Sequence, residues 1–353
     1  MEYKYFPVLR SRQQELDALG KFDFGNRIVP IVEIIKEKAR SNQKADGHED
    51  YAETFRMINS EKVLVDLPIY LDPTVSTATE VRSFFLQTIS NLDERIEYYG
   101  HYQALSAKVI PVISILQPYS DEADTLISQF HRLAPLFPQL AIRLYISNFD
   151  QAIRELNQIR LRPNDCILYD IDTTDLTNPL VKVQRRAMDN THQNVFKVVI
   201  RSAINTDIQN VRLNHGEIIP EANNSLLELF ASYKFPAFGD FAGVKKDDIT
   251  SGGTISPGFI FYSPDDNLYY GYKGNSKSLS EFEHTIVPDV LKSDIVRQWV
   301  AQKSPYIQGN LGYERLVAIG KGLESGKSQA KFKWISIMHY LHCLRVKIEL
   351  EEI

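Results

Sequence analysis

Only two cysteines, Cys166 and Cys343, occur in the 353 residues, far apart and outside any CxxC or zinc-ligand spacing. Their scarcity excludes a disulfide framework and points to a reducing compartment. No apolar run approaches the ~18 residues of a membrane span. The first residues, Met1-Glu2-Tyr3-Lys4-Tyr5-Phe6-Pro7, form no apolar signal core. The expectation is a soluble, cytoplasmic protein with no membrane contact. No glycine-rich dinucleotide fingerprint and no phosphate-binding P-loop motif appears. A basic excess is missing too. The net charge of −5 argues against attraction of the whole protein to nucleic acid and leaves only a local patch. What remains is 43% hydrophobic and 24% charged, the balance of a globular chain able to bury a sizeable core.

What is present is an alternation. β-Branched and aromatic runs at 28–34, 62–68, 109–116, 140–146, 166–172, 195–204, 235–243 and 258–263 read as strands. Amphipathic stretches at 76–99, 121–133, 149–159, 179–190 and 225–233 separate most of them. Such alternation implies right-handed parallel crossovers, and continuously apolar strands imply burial on both faces. Eight units over about 240 residues fit an α/β fold of the (β/α)₈, TIM-barrel-like type better than an open doubly wound sheet. Residues 5–10 read as a short strand or extended arm, and 36–50 as a mobile surface loop. Asp265-Asp266-Asn267 and 268–273 complete a hairpin after the eighth strand. From 279 onward the spacing is helical. The expected organisation is a barrel with its arm over 1–275 and a helical C-terminal extension over 276–353.

In a parallel barrel the functional side chains gather where the strands end. Reading that position gives Glu33, Asp66, Ser114, Arg143, Asp170 with Asp172, Arg201, Asp240 and Tyr262. Glu33, Asp66, Asp170 and Asp240 are candidate acids and bases, and Arg143 and Arg201 candidate anion clamps. Gly239, Gly243, Gly252, Gly253 and Tyr262 join them, because glycine-rich loops after the last strands are where barrels often seat phosphate. None of the eight histidines falls at a strand end. A histidine-based zinc site is therefore poorly supported, and an all-oxygen site would suit magnesium or another hard cation. The bland alternative is a salt-bridged plug in which the arginines neutralise the acids. Between Ser325 and Ile348 lie Lys327, Lys331, Lys333, Arg345 and Lys347 with no acid. That run reads as a patch for phosphate, nucleic acid or an acidic partner, or as a solvated helix end.

The run Tyr5-Phe6-Pro7-Val8-Leu9-Arg10 to Leu19, followed by Ile28-Val29-Pro30-Ile31-Val32-Glu33, resembles the start of the phage beta protein family and its bacterial mobile-island relatives. Phe238-Gly239-Asp240-Phe241 is similar to that family's Gly-Asp-aromatic motif, and Phe259-Ile260-Phe261-Tyr262-Ser263 to its next strand. Trp334 through His339 and His342 is similar to its terminal segment, with a single His339-Tyr340 where the family pairs two histidines. The resemblance implies a context of phage–host conflict, anti-phage defence or mobile elements, with a partner protein from a defence operon. It supplies no reaction. Two functions follow as expectations. One is a barrel-mouth pocket for a phosphate-bearing ligand, with metal-assisted or acid/base hydrolysis of a phosphodiester or nucleotide. The other is a non-enzymatic subunit that recognises a protein or nucleic acid.

Overall fold

A computed structural model describes residues 2–37, 47–71, 73, 77–246 and 256–353. In chain order its strands are β1 (Tyr5–Arg10), β2 (Ile31–Glu33), β3 (Val63–Asp66), β4 (Val109–Ile113), β5 (Ala141–Tyr145) and β6 (Cys166–Asp170). They continue with β7 (Phe196–Ile200), β8 (Glu217–Ile218), β9 (Ala237–Asp240), β10 (Gly258–Ser263) and β11 (Leu268–Lys273). Strands β1 to β7 and β9 form a closed barrel of eight strands, all paired in parallel. Helices lie between successive strands, so the α/β barrel expected from the alternation is the fold observed.

The strand count was right, but its membership needs one correction at each end. Tyr5–Arg10, read as a short strand or extended arm outside the eight, is the first barrel strand, and Tyr5 lies opposite Phe238 where β1 meets β9 and closes the ring. Gly258–Ser263 is not the eighth barrel strand. It pairs antiparallel with β11, as the hairpin reading expected, in a separate three-stranded sheet ordered β10-β11-β8. Of the segment read as a mobile loop, residues 38–46 lie outside the described residues, while Gly47–Met57 is helix.

Alternation along each strand divides the core in two. Phe6, Val8, Ile31, Leu64, Val112, Ala141, Leu168, Val198 and Ile200 fill the barrel interior. Their neighbours Leu9, Val32, Val65, Ile142, Leu144, Tyr169, Val199 and Phe238 face outward beneath the surrounding elements. Both faces are apolar, which is why the strands read as unbroken hydrophobic runs. Cys166 and Cys343 are buried and unpaired.

The C-terminal helix, Gln329–Glu349, is buried along most of its length and packs against Gln13–Lys21, Leu311–Gly320 and β10. Its polar side chains cap the free edge of β10. Gln329 Nε2 donates to the Gly258 carbonyl at 3.0 Å, Ser336 Oγ to Ile260 at 3.1 Å, and the His339 ring bonds Tyr262 at 2.8 Å. Alternate carbonyls on one side of a strand thus find partners without another strand. No helix among the described residues is long and apolar enough to cross a membrane.

Candidate functional site

The inward-facing residues at the strand ends make a charged layer above the apolar interior. Register sets Arg10 opposite Glu33 and Glu33 opposite Asp66. From β5, Arg143 reaches across the mouth. Its Nη1 donates to Glu33 Oε1 at 2.8 Å and to Asp66 Oδ2 at 2.5 Å, and its Nη2 to Asp170 Oδ2 at 2.6 Å. Glu33, Asp66, Arg143 and Asp170 are each no more than 1% exposed. Four side chains that sequence reasoning selected are therefore brought together, held by one guanidinium.

Other groups complete the mouth. Arg10 Nε lies 3.3 Å from Glu33 Oε2. Tyr70, in the loop after β3, donates its hydroxyl to the same oxygen at 2.5 Å and accepts from Arg10 Nη2 at 3.2 Å. The Arg143 guanidinium carbon lies 5.4 Å from the centre of the Tyr70 ring and 5.1 Å from that of Tyr145. Lys246, in the loop after β9, sits 3.8 Å above the Tyr70 ring and pairs with Asp172 at 2.9 Å. Beside the mouth, Arg95 donates to the backbone carbonyls of Leu67, Ile89 and Val112, and its Nη2 is 3.9 Å from Asp66 Oδ1. Arg10 escapes the strand-end reading because residues 5–10 read as a short strand or arm outside the eight strands. Tyr70, Arg95 and Lys246 lie on loops and a helix, where no strand-end rule reaches them.

The carboxyls differ electrostatically. Burial pushes the Asp66 carboxyl above its ordinary range, and the nearby Glu33 adds to the rise, against the pull of Arg143. Burial acts on Asp170 as well, but Arg143, Lys246 and the Asp172 amide outweigh it and hold Asp170 low. Two carboxyls whose affinities for a proton are driven apart can divide acid and base roles. Asp66 Oδ1, Ser114 Oγ and the Tyr145 hydroxyl are buried with no hydrogen-bond partner.

Arg201, Asp240 and Tyr262 are not at the mouth. Arg201 has the parity of Val199, and Asp240 that of Phe238, so both point outward while Ile200 and Gly239 point in. Arg201 ties loops together through the carbonyls of Thr173, Thr174 and Asn223 and an ion pair with Asp175. Asp240 accepts from Tyr5 at 2.6 Å, from Tyr340 at 2.5 Å and from the Ala242 amide at 2.9 Å. Tyr262, in the small sheet, donates to Asn267. Gly239 serves close packing, since a Cβ there would lie 2.5 Å from the Phe6 carbonyl oxygen. At Gly243 a positive φ combines with the Tyr340 ring to exclude a side chain. Gly252 and Gly253 lie outside the described residues.

His339 and His342 diverge, the first to Asn310 and Tyr262 and the second to the Pro305 carbonyl. Among the described residues, no group of three or more His, Cys, Asp or Glu is placed to hold a metal ion. The basic run is matched by acids: Lys327 with Glu283, Lys331 with Glu324, Lys333 with Glu15, Arg345 with Glu349 and Lys347 with Glu352.

Fold and site together define a (β/α)₈ barrel whose carboxyl-terminal mouth is filled by a buried ionic network. The model of the Beta protein family matches residues 5–345, nearly the whole chain. The chain belongs to that family. No curated protein matches it.

Proposed function

We propose that this chain is a phage- or mobile-element-related protein whose barrel mouth binds a phosphate-bearing ligand, with acid/base hydrolysis of a phosphate ester as its reaction. The anti-phage context rests on the family resemblance. The observation that carries the site is the burial of Glu33, Asp66, Asp170 and Arg143 in one hydrogen-bonded cluster at the end of a barrel where such sites lie. Burying these ions costs several kcal/mol each.

Arg10, Arg143 and Lys246 supply the cationic side that a phosphate group needs. Arg201 does not share that task, because it points away from the mouth and ties loop carbonyls together. Asp66, with its raised proton affinity and one oxygen that takes no hydrogen bond, suits a general acid. In that reaction a water oxygen bonds to phosphorus and the ester P–O bond breaks. Asp66 gives the leaving oxygen its proton, and the water's proton passes to a neighbouring carboxylate. Asp66→Asn keeps the shape of the group and should lower turnover roughly 10²- to 10⁴-fold with the fold intact. Turnover is read as phosphate or alcohol release from nucleotides and phosphodiesters. Unchanged turnover in that variant removes Asp66 from the reaction.

One observation favours a second reading. All three carboxylates already have a guanidinium partner, as in a plug that holds the barrel closed. On that reading the protein is a non-enzymatic binding subunit that recognises a partner protein or nucleic acid through its surface. Charge reversal at Lys331 and Lys333 would then abolish function, while Asp66→Asn would not.

A further inference from the structure

The three unsatisfied atoms at the mouth occupy one region of it. Asp66 is opposite Val112 in the β3–β4 ladder, and Ser114 lies two residues past Val112, on the same inward face and one layer higher. The β4–β5 ladder, with Val112 opposite Ala141, brings Ser114 to the level of Arg143. Tyr145 is two residues past Arg143. Its ring stacks against that guanidinium and meets Tyr70 edge-on, with ring centres 5.9 Å apart. Asp66 and Ser114 have no measurable exposure and Tyr145 only 6%. The Ser114 carbonyl is held by Gln129 Nε2 at 2.8 Å, yet its hydroxyl is left without a partner.

Buried polar atoms are normally paired, so three orphans on successive inward layers of adjacent strands point to partners that arrive from outside the chain. The donor set says which kind. Asp66 Oδ1, when ionised, only accepts hydrogen bonds, while the Ser114 and Tyr145 hydroxyls both donate and accept. A phosphate oxygen would suit the two hydroxyls but would be repelled by Asp66 whenever that carboxyl is ionised, whereas a group that both donates and accepts suits Asp66 in either state. A sugar hydroxyl satisfies all three. Resting on the reading of the mouth as a phosphate-ligand site, we infer that Asp66 Oδ1, Ser114 Oγ and Tyr145 OH form a hydroxyl subsite. The ligand is then a hydroxylated phosphate ester, of the sugar phosphate or nucleotide class. Its phosphate faces Arg10 and Lys246, and its hydroxyls face the subsite. Ordered water is the competing occupant, since a polar site of this kind can be filled by water alone.

Titration calorimetry of the full chain with ribose 5-phosphate, 2-deoxyribose 5-phosphate and inorganic phosphate separates these cases. The subsite predicts that ribose 5-phosphate binds at least tenfold more tightly than its deoxy analogue, because a buried site built for a hydroxyl penalises its loss. Ser114→Ala and Tyr145→Phe should erase that preference and leave affinity for inorganic phosphate unchanged. If Ser114→Ala does not fold, Tyr145→Phe, which removes one oxygen only, carries the same comparison. Equal binding of all three probes overturns the subsite and leaves the mouth as a phosphate site filled by water. Binding of none of them overturns the phosphate site itself, and the subsite with it.

Discussion

The Tyr5 hydroxyl donates to the Asp240 carboxylate at 2.6 Å, joining the first and last strands of the barrel on its outer side. Tyr340 of the C-terminal helix donates to the other carboxylate oxygen. One buried acid therefore fastens the closing seam to the helix that covers it. This relationship recasts the Gly-Asp-aromatic motif as a clasp of the barrel, set apart from the charged mouth.

Asp240→Ala should destabilise the protein by about 2–4 kcal/mol, since two buried hydroxyls lose their acceptor. Tyr5→Phe should cost less, about 1–2 kcal/mol, because the carboxylate keeps Tyr340 and the Ala242 amide. Chemical denaturation checks both. An Asp240→Ala protein as stable as wild type but without ligand response would instead assign Asp240 to the site.

Arg143 is the hub of the mouth, and its removal takes a guanidinium from three buried carboxylates, of which Glu33 alone keeps a second one, that of Arg10, within hydrogen-bonding distance. Arg143→Met should destabilise by about 3–5 kcal/mol or prevent folding, the usual consequence of breaking a buried ionic network by one partner. Stability should recover in part when Asp66→Asn and Asp170→Asn are added, because the uncompensated charges go with them. A single Arg143→Met variant with wild-type melting would show that the network is not closed in solution.

Stability should also depend on pH through His339. Asn310 Nδ2 donates to its Nδ1 at 2.8 Å, leaving the Nε2 hydrogen for the Tyr262 carbonyl. The Asn310 amide is oriented by its own bonds to the Tyr306 carbonyl and the Tyr313 amide. This is the neutral ring. Burial lowers its pKa from 6.5 to about 4, with His342 adding to the fall and the Tyr262 carbonyl opposing it. Between those values the unfolded chain takes up a proton that the native protein refuses. The contribution is therefore complete above pH 6.5 and lost as pH falls toward 4, by on the order of 3 kcal/mol. Denaturation of wild type and His339→Gln at pH 7 and pH 4.5 isolates the effect. Equal pH slopes for the two proteins would contradict it.

Much of this was legible in the sequence, for physical reasons. Glu33, Asp66 and Asp170 stand out because each is a charge at the end of an apolar run, and Arg143 because it is a charge within one. Arg201 and Asp240 have the same signature yet face the other way. Strands buried on both sides show no polar alternation, so parity emerges only from pairing with neighbouring strands. The six residues of β1 looked like an arm, and Pro7 within them weakens any reading as a central strand. Phe259 to Ser263 looked like a barrel strand because its apolar face packs on the C-terminal helix instead. Tyr70 and Lys246 come from loops, whose paths over the mouth are set by tertiary packing.

The central claim, that the mouth receives a phosphate-bearing ligand, is tested most directly by melting the wild-type protein against nucleotides, sugar phosphates and inorganic phosphate, with and without magnesium. A ligand at a hundredfold excess over its Kd stabilises by about 2.7 kcal/mol, enough to raise the melting temperature by a few degrees. At least one compound should do so, Lys246→Ala should cancel the rise, and Asp66→Asn should keep it for inorganic phosphate. No response from any compound, with wild type and both variants melting alike throughout, would contradict the claim and leave the mouth as a structural plug.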